Sequence, residues 1–167
     1  MHGGHWRRMG KRFAAALAFA AGTMAATMAG VPAAGQGPGA SVEVEAPGPQ
    51  GALHGTLLSV GAGAPIVVII PGSGPTDRNG DNRYGVRGSV LKQLAEGLAA
   101  RGIASVRIDK RGLFGSAAAI ADPAQVVMAD YAADAIAWSK VAQARTGARC
   151  VWLMGHSEGG LVALIAA

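Results

Sequence analysis

From Ser41 the chain alternates polar and apolar residues, Ser41-Val42-Glu43-Val44-Glu45, as a strand with one buried face does. The turn cluster Ala46-Pro47-Gly48-Pro49-Gln50-Gly51 separates it from a second strand, Leu53 to Val60, and the two are expected to pair antiparallel. After a turn at Gly61 to Ala64, the run Pro65-Ile66-Val67-Val68-Ile69-Ile70 is apolar throughout and rich in β-branched residues. Such a strand is buried on both faces, in the middle of a parallel sheet. A polar, glycine-rich loop follows, Pro71 to Gly88. Ser89 is expected to cap a helix that carries Leu91, Leu94, Ala95 and Leu98 toward the core and closes at Gly102.

Ile103 to Ile108 reads as the next strand and ends at Asp109. Beyond the loop Lys110 to Ser116, Asp122 or Asp130 opens a helix through Tyr131, Ala135, Trp138 and Val141. Val151-Trp152-Leu153-Met154 is expected to be a third buried strand, and Leu161 to Ala167 begins a helix. The order predicts an α/β fold in which an antiparallel β-hairpin leads into a mainly parallel sheet flanked by helices.

Composition fits a chain that buries a core: 50% of its 167 residues are hydrophobic and 15% charged. The net charge of +5 suggests a nucleic-acid partner until its distribution is considered. Arg7, Arg8, Lys11 and Arg12 lie at the N-terminus, and beyond residue 34 the balance is +1, 11 basic against 10 acidic side chains. No basic stripe interleaved with aromatics appears, so nucleic acid is not an expected partner. The basic stretch precedes an uncharged run, Phe13 to Met28, and then small residues. Residues 1–34 are therefore expected to be a secretory signal peptide, cut after Val31-Pro32-Ala33 or Ala33-Ala34-Gly35, with an uncleaved anchor as the alternative. The product would be exported to the periplasm or beyond and would meet the membrane only through this segment. Residues 35–40 form a linker, and 41–167 the domain. The single cysteine, Cys150, is expected to be buried, and no Cys/His cluster has metal spacing.

Chemistry concentrates at Gly155-His156-Ser157-Glu158-Gly159-Gly160, a G-x-S-x-G pattern. It stands after a strand and before a helix, where a sharp turn lifts a serine hydroxyl clear of a sheet. Residues Gly155 and Gly159 must be small for that turn to close. Ser157 is the candidate nucleophile. The N–H of Glu158 is one candidate oxyanion donor, and Ser73, with Gly74 adjacent, supplies the other from Pro71-Gly72-Ser73-Gly74-Pro75. No Gly-Lys-Ser/Thr follows those glycines, which speaks against a phosphate cradle. Asp109, Arg111 and His156 are read as structural. Asp77, Arg78, Asp81 and Arg83 are read as a solvated lip, with substrate contact as the alternative.

The loop after Ile66–Ile70 resembles the oxyanion loop of bacterial α/β hydrolases of the serine aminopeptidase/esterase type. Asp109-Lys110-Arg111-Gly112-Leu113-Phe114-Gly115-Ser116 resembles their D-x-R-G-x-G-x-S turn, with Phe114 where the second glycine falls. Gly-His-Ser-Glu-Gly-Gly resembles their nucleophile elbow. The resemblance covers residues 41–167. It implies the N-terminal part of an α/β-hydrolase fold, incomplete at the C-terminus, with Ser157 as nucleophile, Ser73 and Glu158 as oxyanion donors, no cofactor and no metal. Gly112 and Gly115 would shape a loop at the mouth of the site.

In that fold the triad runs Ser, then Asp or Glu, then His. After Ser157 the sequence offers only Glu158 as a titratable group. The expectation is a serine hydrolase acting on a small ester or peptide, inactive in this form because the acid and histidine are missing. A non-catalytic product is the alternative.

Overall fold

The computed structural model describes residues 39–167; the signal-peptide reading of 1–34 and most of the linker at 35–40 lie outside them. Ten elements follow in chain order: β1 (Ser41–Ala46), β2 (Leu53–Leu58), β3 (Ile66–Ile70), α1 (Val90–Ala99), β4 (Ala104–Ile108), 3-10 turns at Phe114–Ser116 and Pro123–Gln125, α2 (Met128–Thr146), β5 (Val151–Gly155) and α3 (Glu158–Ala166). The five strands form one sheet in the order β1-β2-β4-β3-β5. β1 pairs antiparallel with β2, and β2 with β4. β3 pairs parallel with both β4 and β5. The expected hairpin does lead into a parallel sheet, and the apolar run at 66–70 is its centre.

β3 is covered on both faces, and its side chains divide between them. Ile66, Val68 and Ile70 join Leu53, Val106, Trp138 and Val162 in the larger core under α2 and α3. Val67 and Ile69 join Leu58, Leu91, Ala95 and Ala99 under α1. Trp138 is fully buried and anchors α2. Burying a side chain of this size stabilises by about 3 kcal/mol.

Several expectations need correction. Ser89 stands at the start of α1, but its side chain accepts nothing from the helix, and only its carbonyl takes the Gln93 N–H; its backbone is left-handed, with φ 44°. Its hydroxyl and N–H both donate to Asp81, each at 2.7 Å, and these bonds hold the Asp81 carboxyl below its ordinary pKa. Leu94 faces solvent instead of the core, because the buried stripe of α1 runs through Leu91, Ala95 and Ala99. β5 is not buried on both faces. It is an edge strand whose Trp152 and Met154 are 67% and 37% exposed, since nothing among the described residues packs over them. Cys150 is exposed, lying in the turn between α2 and β5 instead of in the strand. Of the two candidate openers, Asp122 caps the short turn at Pro123–Gln125, and Asp130 accepts from Val127 N–H at the start of α2.

The loop after β4 is pinned from inside. Asp109 is buried and accepts from Arg78 N, Arg78 Nε and Gly115 N at 2.9, 3.0 and 3.1 Å. Ser116 Oγ donates to the Asp109 carbonyl and accepts from His54 N–H. Arg111 makes a two-pronged pair with Asp134 on α2, both contacts at 2.7 Å. Arg78 is thus no part of a solvated lip: it reaches inward to Asp109 and on to Glu43 and Thr56 on the hairpin. Asp109→Asn is expected to cost about 3 kcal/mol, because it leaves the Arg78 cation without its buried partner. Urea unfolding followed by circular dichroism measures it, and a cost under about 1 kcal/mol would contradict this account.

Phe114 has φ 47°, a backbone region that glycine occupies without strain and a bulky residue rarely does. Phe114 stands where the glycine pattern has its second glycine, and the chain carries the strain in its backbone. Phe114→Gly is expected to stabilise by about 1 kcal/mol, seen as a melting temperature a few degrees higher. A fall would show that the half-exposed ring contributes more packing than its backbone costs.

Candidate active site

Where β5 gives way to α3 the chain turns within two residues. Ser157 sits at φ 53° and ψ −120°, outside the regions that side-chain-bearing residues ordinarily adopt. The turn is held by three backbone bonds: His156 N–H to Ile70 O at 3.0 Å, Gly159 N–H to His156 O at 2.9 Å, and Gly160 N–H to Ser157 O at 2.9 Å. A Cβ at Gly155 would fall on the Gly159 carbonyl, and one at Gly159 on the carbonyl oxygens of Ile70 and Pro71. Backbone is thus packed on backbone, which is the physical requirement behind small residues two before and two after the serine. Ser157 itself is exposed, and among the described residues its hydroxyl makes no hydrogen bond.

The loop after β3 runs alongside. A Cβ at Gly72 would stand 3.0 Å from His156 Nδ1 and 3.4 Å from Ser157 Cβ, so this loop and the elbow touch. Ser73 and Ser157 line one cavity of about 320 Å³, together with Thr76, Val90, Leu91 and His156. Among the described residues the N–H groups of Ser73, Gly74 and Glu158 find no acceptor. Gly74, at φ 71°, lines a neighbouring cavity of about 360 Å³ with the Glu158 side chain, Lys110, Tyr131 and Arg83. Gly112 also lines that second cavity, whereas Gly115 packs inward against His54 and Asp109. The structure thus brings Ser73 and Ser157 to one cavity and sets Gly74 and Glu158, which follows Ser157 directly, at the wall of the next.

The charges around the site are paired. Lys110 Nζ is 2.8 Å from Glu158 Oε1 and lies over the Tyr131 ring, 5.1 Å from its centre. Burial, and then the Glu158 carboxylate, push the Tyr131 phenol above its ordinary pKa and keep it neutral. Burial likewise raises the Asp134 carboxyl, against the opposing pull of Arg111. Lys110 was not among the candidate residues. The signal that could have raised it is its place just past the C-terminal end of a parallel strand, where α/β sheets gather their sites. Among the described residues no cluster of His, Cys, Asp or Glu could hold a metal, and no helix is long and apolar enough to cross a membrane.

A family model described as serine aminopeptidase, S33, matches residues 82–167, just over half of the chain. No curated protein matches the sequence. Among solved structures, a dienelactone hydrolase from Anabaena variabilis is 23% identical with a TM-score of 0.59, over 79% of this chain and 58% of its own. An α/β serine hydrolase without a lid from Xanthomonas campestris is 26% identical with a TM-score of 0.56, over 78% and 56%. A cold-adapted esterase from an Arctic intertidal metagenomic library is 21% identical with a TM-score of 0.54, over 75% and 54%. The chain spans a little over half the length of each of these. With a family model over residues 82–167 and this fold, the chain belongs to the serine aminopeptidase S33 family of α/β hydrolases.

Proposed function

We propose that this protein is a serine hydrolase that takes the acyl group of a small ester or peptide onto Ser157. The Ser157 oxygen bonds to the substrate carbonyl carbon and its proton passes through a base to the leaving oxygen or nitrogen, whose bond to that carbon breaks. Water then attacks the acyl-enzyme, frees a carboxylic acid and restores the hydroxyl. The Glu158 and Ser73 N–H groups, with Gly74 adjacent, donate to the oxyanion as it forms. The observation that carries this reading is the positive φ of Ser157 between a strand and a helix, with its hydroxyl in the open. The family is described as an aminopeptidase and one similar structure is an esterase, so both acyl classes stay within the proposal.

Among the described residues neither His54 nor His156 makes a side-chain hydrogen bond with Ser157, and in this fold the base is a histidine that follows the nucleophile. Residues 39–167 alone are therefore expected to be inactive, and the non-catalytic reading is the one that competes. The basic stretch and apolar run before residue 34 support export from the cytoplasm.

The test uses the protein as its own cells produce it, treated with a biotinylated fluorophosphonate and digested for peptide mass spectrometry. The expected adduct is on Ser157. An adduct on another residue, or none, overturns the proposal in favour of a non-catalytic product.

A further inference from the structure

Lys110 leaves the end of β4 with its side chain only 4% exposed. A buried ammonium is costly unless a partner meets it. Its neighbours do not supply one: Asp109 is taken by Arg78, and Arg111 is paired with Asp130 and Asp134. Lys110 reaches instead across 48 positions of sequence to Glu158 Oε1 at 2.8 Å, resting on the face of Tyr131. Glu158 is the first residue of α3 and follows Ser157 directly. Its side chain therefore ties the opening turn of α3 to the loop after β4, at the residue whose N–H is proposed as an oxyanion donor.

The geometry points to Lys110 as a positioning residue for the oxyanion site, acting through Glu158. It fixes the direction of the Glu158 N–H. It also neutralises a carboxylate that would otherwise stand one residue from the charge that develops on the substrate oxygen. Two like charges so close, in a partly dry site, oppose the transition state more than the ground state, where the substrate carbonyl is neutral. This inference rests on Ser157 being the nucleophile.

The test measures Ser157 phosphonylation by the same fluorophosphonate, with variants expressed from the native locus, alongside thermal unfolding. Lys110→Met is expected to slow the reaction about 10- to 100-fold, a little under the usual effect of losing an oxyanion donor. The loss should fall on the limiting rate and not on the half-saturating concentration. Adding Glu158→Gln to that variant removes the stranded charge and should restore the rate by about three-fold or more over Lys110→Met alone. Lys110→Arg, which keeps the charge, should also react faster than Lys110→Met. Lys110→Gln carries the same expectation as Lys110→Met should the latter not fold. A merely structural tie would lower the melting temperature and leave the rate of the folded protein unchanged, and that result overturns the inference. So does a double variant no faster than the single one. A wild-type protein without an adduct on Ser157 removes the underlying reading as well, so the two failures are told apart.

Discussion

Gly155→Ala is expected to cost on the order of 5 kcal/mol, comparable with the entire stability of many domains. The added methyl would meet the carbonyl of Gly159, and backbone has no rotamer with which to retreat. Gly159 cannot yield either, because its own far side is pressed against the carbonyl oxygens of Ile70 and Pro71. Relief requires α3 to lift from β5, which removes Val162 from the core and opens the turn around Ser157. Urea unfolding and soluble yield measure the effect. Gly160→Ala is the matched control: its methyl would meet only the Gly155 carbonyl oxygen at 3.5 Å, an ordinary contact. Within a helix that change should be neutral or stabilise by up to about 1 kcal/mol. Equal costs for the two variants would show that crowding at the elbow is not what glycine relieves.

Ser157→Ala and Ser157→Gly are both expected to abolish fluorophosphonate labelling, since each removes the oxygen proposed to attack. Their stabilities should differ. Alanine keeps a side chain at φ 53° and so keeps the strain, whereas glycine occupies positive φ freely. Ser157→Gly should therefore be about 1 kcal/mol more stable than Ser157→Ala, a few degrees in melting temperature. Equal melting temperatures would mean that the turn imposes no cost on the residue in it. Residual labelling of either variant would place the reactive group elsewhere.

Local patterns carried the parts of this fold that depend on neighbours in sequence. Ile66–Ile70 was legible because a strand buried on both faces has no polar alternation; Ala104–Ile108 does alternate, yet its Ser105 and Arg107 are buried as well. The elbow was legible because its crowding lies within five residues. Val151–Met154 is as apolar throughout as Ile66–Ile70, yet Trp152 and Met154 stand in solvent. An apolar run records what a strand is able to bury, not whether a neighbour covers it. Ser89 is a good capping residue by type, but Asp81, eight positions upstream, takes its hydroxyl. Arg78 looked solvated within a polar loop because its carboxylate lies 31 positions ahead. The Lys110–Glu158 pair, wider still, left no trace in spacing. Charges whose partners come from another element are invisible to any reading that moves along the chain.

Arg78 also gives the hairpin a purpose beyond filling the sheet. Its guanidinium binds Asp109 on one side and Glu43 and Thr56 on the other, and it belongs to the segment that carries Ser73. The first two strands thus act as a mooring for the loop that carries Ser73, holding it from the rear as a stay holds a mast. A shortened version trimmed through Glu43 would keep Ser73 and Ser157 and still lose one of the contacts that moor that loop.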